Sequence, residues 1–517
     1  MPVFVGCDLG TMGTKAGVVD EDGTILADAF EEVPLRYPRP GCVKQNLAHI
    51  EASGHRTVRL ALQRSGRQDV QGVAFSGQMS GIGSIDSSFE PATYYDSWLD
   101  TRCEPYIRRM TEDAERVTAV SGCPPTYSHG PKILWWQHER PEDFRRILRF
   151  VTPSAYVAGR LVGLPAERAY IDRTYLHFTN LADNAASAWS EELIEAFGVD
   201  VDKLPRIVDP LDIVGTVTAQ GSADTGLPAG TPVAAGAGDT AASVLGGAVV
   251  EPGQGLDVAG TASVLAFCLG RFAPDPRRRL LMASQSVIPG QWIALAFVNG
   301  GGLALRWFRD TVAAELAGRP DAYETLDREA AAVDPGSGGL LWCPHLQGRV
   351  LPPSPHVRGG WVGLTSGHGR AHMYRALLEG IAYEYALWAD SVRDAAAGAS
   401  LREVLALSGG ARSRVWNAIK ADVLGIAWVP LARQEAGVLG DALVAAAATG
   451  HADDVADTAR AWQRTGERVD PDHERHARYQ PYLTAYRLLS GHLDEIFEEL
   501  GRASSGYPSD QARARTL

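Results

Sequence analysis

The sequence predicts an α/β fold of layered strands and helices, and three observations carry that prediction. Short apolar runs of strand length end in Gly or Asp-Gly, and longer segments place apolar residues at helical spacing. A strand, Gly-Thr turn, strand pattern opens the chain at Thr11 and returns at Thr261, 250 residues on. Strands alternating with helices define a layered α/β architecture. A length of 517 residues suits two to four domains at about 100–200 residues each.

The elements follow in order. Residues 3–7 form a strand-type run closed by Gly10. Residues 16–19 form another, and the hairpin turn Asp22-Gly23 leads to a third run from Thr24. Residues 48–65 read as a helix and 70–75 as a buried strand ending in Ser76-Gly77-Gln78-Met79-Ser80-Gly81. Residues 181–232 are rich in Pro, Asp and Gly and read as loops before a strand at 232–235. Strands at 255–258 and 264–267 flank Ala259-Gly260-Thr261. Helices follow at 303–316, 370–397, 413–424 and 438–449, with a strand at 404–407 ending in Gly409-Gly410. The aromatic stretch 374–388 reads as core in preference to a dimer face, a homodimer being the oligomer considered.

Composition narrows the class. Hydrophobic residues make up 45% and charged residues 21%, which fits a chain with large buried cores. A net charge of −13 excludes broad binding of nucleic acid or an anionic membrane, which needs a basic face. The six cysteines are scattered without a CxxC pair, as expected of reduced thiols in the cytoplasm. The start lacks a basic signal-peptide region. The most apolar long stretch, 231–250, is interrupted by Asp239 and is no membrane span. Residues 501–517 read as a disordered tail.

Several segments can carry chemistry. Asp8-Leu9-Gly10-Thr11-Met12-Gly13-Thr14-Lys15 offers backbone N–H groups, two hydroxyls and a cation to phosphate oxygens. Its acid, at a strand end, suits Mg²⁺ held directly or through water. The same residues also suit a plain hairpin. Asp239 is a lone acid in a Gly/Ala run, Ala234 to Ala242, placed either to take a proton from a substrate hydroxyl or to cap a helix. Residues 257–263 form a second phosphate-type turn around Gly260 and Thr261. Gly300, Gly301 and Gly302 open one helix, and Gly409 and Gly410 another; helix starts attract anions. Asn417 reads as an adenine contact or a surface residue. Gln78 and Met79, with Trp98-Leu99-Asp100-Thr101-Arg102, suit a sugar or polyol, the indole covering carbons and the polar groups bonding hydroxyls.

In this order the segments resemble the FGGY family of carbohydrate kinases, and most closely its xylulokinase-like branch. The carrying residues are CDLGTMGTK (7–15), GQM (77–79), WLDTR (98–102), PKILW (131–135), AGAGDTAAS (235–243), AGTAS (259–263), GLTSGHGRAHMYRALLEGIAYE (363–384), SGGARS (408–413) and GVLGDALVAA (437–446). The resemblance implies two domains of the actin/hexokinase-like (ribonuclease H-like) ATPase fold around a central cleft. Residues 1–245 would hold the sugar pocket, first phosphate turn and catalytic base, and 246–500 the nucleotide. It implies ATP and Mg²⁺ as cofactors and a small sugar or polyol as substrate. Asp239 is then the catalytic base and Asp8 the Mg²⁺ ligand. Gly10, Thr11, Thr14, Lys15, Gly260, Thr261, Gly300–Gly302, Gly409, Gly410 and Asn417 face ATP. Gln78, Met79, Ser80, Trp98 and Asp100, with Asp239, face the sugar. Two positions depart from the branch pattern: Ser80 replaces a His, and His129 replaces a Thr or Ser. A ketopentose such as xylulose is the expected substrate. The alternatives are another ketose, a tetrose, a polyol or a cyclitol; a different class would be an actin- or chaperone-like nucleotide switch.

Overall fold

The computed structural model describes residues 2–504. Three antiparallel strands open it: β1 (Val3–Leu9), β2 (Gly13–Asp20) and β3 (Ile25–Glu32). Helix α1 (Leu47–Ser65) starts where the Asn46 side chain accepts from Ala48 N–H, and ends at the left-handed Gly66. Strand β4 (Val70–Gly77) runs parallel to β1. A largely helical excursion, including α2 (His129–Glu139), leads to β5 (Ile213–Thr216) and β6 (Pro232–Ala234). The sheet order is β5-β6-β4-β1-β2-β3.

Helix α3 (Asp239–Gly246) leads into a second sheet. Its strands are β7 (Gln254–Ala259), β8 (Ser263–Leu269), β9 (Met282–Gln285) and β10 (Trp292–Val298). After α4 (Gly301–Thr311) and α5 (Arg370–Ala395) come β11 (Glu403–Leu407), α6 (Arg414–Leu424) and β12 (Ala427–Pro430). The order is β9-β10-β8-β7-β11-β12. In both sheets an antiparallel hairpin, β1–β2 or β7–β8, is flanked by a parallel strand, β4 or β11. The weak sequence repeat is therefore a structural one.

Helix α7 (Ala436–Ala448) returns to the first sheet and α8 (His473–Ser504) closes the described chain. Close approach of α7 needs small residues: a Cβ on Gly440 would lie 1.9 Å from the Ala242 carbonyl of α3. The two-residue period of β1 then sorts its faces. Val3, Val5, Cys7 and Leu9 join the core under α1, whereas Phe4 joins the core between the sheets. Asp8 shares the parity of Phe4 and so faces α7.

Two expectations change in the structure. Residues 181–232 contain the short helices Glu191–Phe197 and Ala219–Thr225 rather than loops alone. Residues 501–504 are the end of α8, and the remainder of the expected tail lies outside the described residues. Tyr374, Tyr383, Tyr385 and Trp388 of α5 are buried in the chain's own core. Among the described residues no helix is long and apolar enough to cross a membrane. All six cysteines are free and buried.

One extra residue separates Asp257 from Gly260 compared with Asp8 and Gly10. With a period of two, that insertion turns Asp257 to the opposite face of its strand. There it accepts from Lys420 Nζ at 2.5 Å, Tyr385 Oη at 2.7 Å and Trp428 Nε1 at 3.1 Å, with both ionic side chains fully buried. Removing one partner of a buried pair strands the other charge. Lys420→Ala is expected to lose about 3–5 kcal/mol, read as an earlier urea midpoint; an unchanged midpoint contradicts this account of the pair.

Candidate active site

The site forms where three parallel strands end together, the usual position of ligands in α/β sheets. Asp8 pairs in register with Ser76, and Ala237 and Gly238 pair with Ser76 and Gly77. The turn into this last strand requires glycine. Gly236 has φ 84°, and a Cβ there would lie 2.0 Å from the Phe75 carbonyl oxygen. Asp239 follows as the first residue of α3. Gly238, not Asp239, occupies the N-cap position. The Asp239 Oδ1 accepts from its neighbour Thr240, N–H at 2.6 Å and hydroxyl at 3.1 Å. Burial raises this half-buried carboxyl to about 6, against the Thr240 hydrogen bonds. A carboxylate so placed is a competent general base near neutrality.

Asp8 faces it. Burial, Asp239 and Glu435 together raise the Asp8 carboxyl to about 7, opposed by Lys15 and Ser76. Its Oδ1 is buried without a hydrogen-bond partner. Gly437, at the start of α7, leaves room for it: a Cβ there would lie 3.1 Å from Asp8 Oδ2. An unsatisfied carboxylate oxygen beside a second carboxylate fits a divalent cation. Among the described residues no group of three His, Cys, Asp or Glu side chains is arranged to hold a metal. The residues therefore fit a cation shared with phosphate oxygens and water, as Mg²⁺ is commonly held.

The first turn divides its residues. Gly10 and Thr11 remain at the site, and the Thr11 hydroxyl accepts from Trp98 Nε1 at 2.9 Å and donates to Gln78 Oε1 at 3.3 Å. Thr14 does not face phosphate. Its parity turns it under α1, where its hydroxyl lies 2.6 Å from Ser53 Oγ and is fully buried. Lys15 is no free cation, being paired with Glu435 at 2.6 Å and Asp28 at 3.3 Å.

The second turn is open: a Cβ on Gly260 would meet nothing nearer than 3.9 Å, and Thr261 is exposed. The glycines that open α4 pack behind it. Gly302 N–H donates to Gly260 O at 3.0 Å and Leu303 N–H to Thr261 O at 3.1 Å. The Gly302 N–H is thus spent on holding the turn, which corrects its assignment to an anion. Gly409 is exposed with open space around its Cα, whereas Gly410 packs on Ala259 and Trp416. Asn417 is buried and donates from Nδ2 to Ala411 O at 2.8 Å, pinning the 409–412 turn to α6, while its Oδ1 has no partner.

Across the site, Gln78 is locked by its donation to Gln45 Oε1 at 2.8 Å, and Met79 packs against Gly238. Asp100 does not offer a free carboxylate. It accepts from Val43 N–H at 2.8 Å and from the backbone and side chain of Arg102. Ser80, at φ 67°, donates to Tyr127 O at 3.0 Å. Lys132 Nζ is buried beneath it and donates to Tyr127 O and to Ser80 O, the latter at 3.5 Å. His129 is buried against Tyr175, with ring centroids 6.3 Å apart and neither nitrogen partnered; burial lowers it to about 3, so it is neutral. Sequence reasoning missed Asp441 and Glu435. Asp441 accepts from Ser76 Oγ at 2.8 Å across 365 residues, a contact with no local signal.

Two equivalent sheets, each presenting a Gly-Thr turn, with the half-buried Asp239 carboxyl at the strand ends facing Asp8, define a two-lobed phosphotransferase. Residues 3–246 match the model of the N-terminal domain of the FGGY family of carbohydrate kinases, and residues 258–449 match that of its C-terminal domain. The chain belongs to that family and is a carbohydrate kinase. It is 26% identical to the xylulose kinase of Bacillus subtilis over 512 residues, covering 96% of this chain and 98% of that one. It is 29% identical to the gluconokinase of the same organism over 461 residues, covering 87% and 88%. The crystal structure of xylulose kinase from Rhodospirillum rubrum superposes with a TM-score of 0.88 at 27% identity, covering 96% of this chain and all of that one. The actin/hexokinase-like fold expected from the sequence is the one observed, and a nucleotide switch without a sugar substrate is set aside.

Proposed function

We propose that this kinase transfers the γ-phosphoryl group of ATP to a hydroxyl of a ketopentose such as xylulose. The observation that carries the mechanism is Asp239 itself: a half-buried carboxylate, raised to about 6, at the strand ends and facing Asp8. Asp239 orients the attacking hydroxyl and takes its proton late, as phosphoryl transfer requires positioning more than covalent chemistry. The turns at Gly10-Thr11 and Gly260-Thr261 meet phosphate oxygens with backbone N–H groups. Mg²⁺, when bound, supplies charge to offset that developing on the phosphate oxygens. Asp8 is the residue that would hold it. With Lys15 and the Gly302 N–H committed elsewhere, positive charge at the phosphates comes from Mg²⁺ and the remaining backbone N–H groups, which suits a chain of net charge −13.

The xylulose kinases among the relatives support the ketopentose reading. The gluconokinase relative and the buried Lys132 ammonium beneath Ser80 favour a second reading, a sugar acid such as gluconate. ADP release should be measured with xylulose, other ketoses, a tetrose, polyols, a cyclitol and gluconate. Xylulose is expected to give the highest kcat/KM. The highest value with gluconate replaces the first reading by the second, and release independent of any sugar contradicts both. We further propose a division of the chain after residue 245, with α7 returning to pack on the first sheet, and residence in the cytoplasm, which the six buried free thiols support.

A further inference from the structure

The turn at residues 172–175 touches three separate parts of the molecule. Thr174 Oγ1 accepts at 2.9 Å from the N–H of Gly238, the residue just before Asp239. The Thr174 hydroxyl has one hydrogen, and it goes to Asp172 Oδ1, which also accepts from Thr174 N–H at 3.0 Å. The lone pair aimed at Gly238 is therefore fixed in direction. Thr174 is fully buried, so water does not substitute for it. The next residue, Tyr175, donates to Gly77 O at 2.7 Å, and Gly77 is the strand partner of Gly238.

The preceding residue grips the other half of the chain. Arg173 donates to Ser286 O, to Val287 O at 2.8 Å and to Gln285 Oε1 at 3.3 Å, while its Nε is held by Asp209 at 2.8 Å. These acceptors lie at the end of β9, the edge strand of the second sheet, and just beyond it. Ser284 Oγ lies 3.0 Å from both Thr174 O and Gln285 O. Asn184 and Gly122 also bind β9: Asn184 Nδ2 donates to Ala283 O at 2.8 Å, and Ala283 N–H donates to Gly122 O at 2.7 Å. The second sheet's edge is thus tied to the first half beside the turn that holds Gly238.

We infer that the 172–175 turn is a strut that positions Asp239 and makes its placement depend on the contact between the two halves, with Thr174 and Arg173 as the positioning residues. The inference rests on the reading of Asp239 as the base. Thr174→Val keeps the shape and removes the acceptor, freeing the Gly238 peptide. A displacement of about 1 Å at a reacting group costs on the order of 100-fold in rate.

The test uses the full chain with the sugar that gives the best turnover. Thr174→Val is expected to lower kcat by roughly 100-fold with the KM for ATP unchanged, and Thr174→Ser to restore kcat to near the parent value. Arg173→Lys is expected to lower kcat at constant KM, and the double variant with Thr174→Val to be no slower than Thr174→Val alone. Parent-like kcat in Thr174→Val overturns the positioning role, and additive losses overturn the coupling. If Thr174→Val fails to fold by circular dichroism, Arg173→Lys decides alone: parent-like kcat overturns the inference. A parent enzyme without sugar-stimulated turnover, or an active Asp239→Ala, overturns the reading of the base instead.

Discussion

Asp239→Ala binds ATP with parent-like affinity and turns over roughly 100- to 10,000-fold more slowly, the range general-base removal typically costs. Nucleotide affinity survives because the turns that meet phosphate, at Gly10-Thr11, Gly260-Thr261 and Gly409, are backbone features that Asp239 does not form. Turnover falls because the deprotonated carboxylate is lost from the strand ends. The parent enzyme carries the signature of that group. Its kcat/KM rises with pH through about 6 as Asp239 loses its proton, and the variant lacks that limb. Isothermal titration with ATP and initial rates across pH check both halves of the prediction. Parent-like turnover in the variant removes Asp239 from the role of base.

Asp8→Asn should act with opposite signs on activity and stability. Asn keeps the size and removes the charge that would hold Mg²⁺, so kcat falls on the order of 100-fold, as when one preorganised electrostatic group is removed. The Mg²⁺ concentration for half-maximal rate rises as well. In metal-free buffer the same variant unfolds at a higher urea midpoint. Asp8 Oδ1 is buried without a partner beside the carboxylates of Asp239 and Glu435, and neutralising it relieves that repulsion. Such a stability gain at the cost of function is typical of strained active sites. Loss of activity with no change in Mg²⁺ dependence contradicts the cation role, and a lowered metal-free midpoint contradicts the repulsion.

What was legible in the sequence was local. The turns at Gly10-Thr11 and Gly260-Thr261 and the Gly/Ala setting of Asp239 stand out because close backbone approach demands small residues over a few consecutive positions. The repeat of sheet topology was legible for the same reason. The misreadings share one cause, which is orientation. Thr14 has suitable chemistry near a phosphate-type turn, but strand parity points it away from that turn. The glycines opening α4 have the right backbone for an anion, yet the Gly302 N–H meets the Gly260 carbonyl. Asp100 lies beside Arg102 in sequence, and that neighbour occupies it. Residues joined only by the fold, such as Ser76 with Asp441 or Thr174 with Gly238, left no pattern to find. Ser80 and His129 were legible as departures, but the Ser80 bond to Tyr127 O and the burial of His129 without a polar partner were not.

The two Gly-Thr turns and Asp239 together are expected to phosphorylate a sugar hydroxyl and spare water. ADP and sugar phosphate should be quantified in the same reaction, with parent enzyme and with Asp239→Ala, in the presence and absence of xylulose. The account predicts one sugar phosphate per ADP in the parent enzyme, a background without sugar that is small by comparison, and little of either product from the variant. ADP released by the parent enzyme at the same rate with and without every sugar of the panel contradicts it.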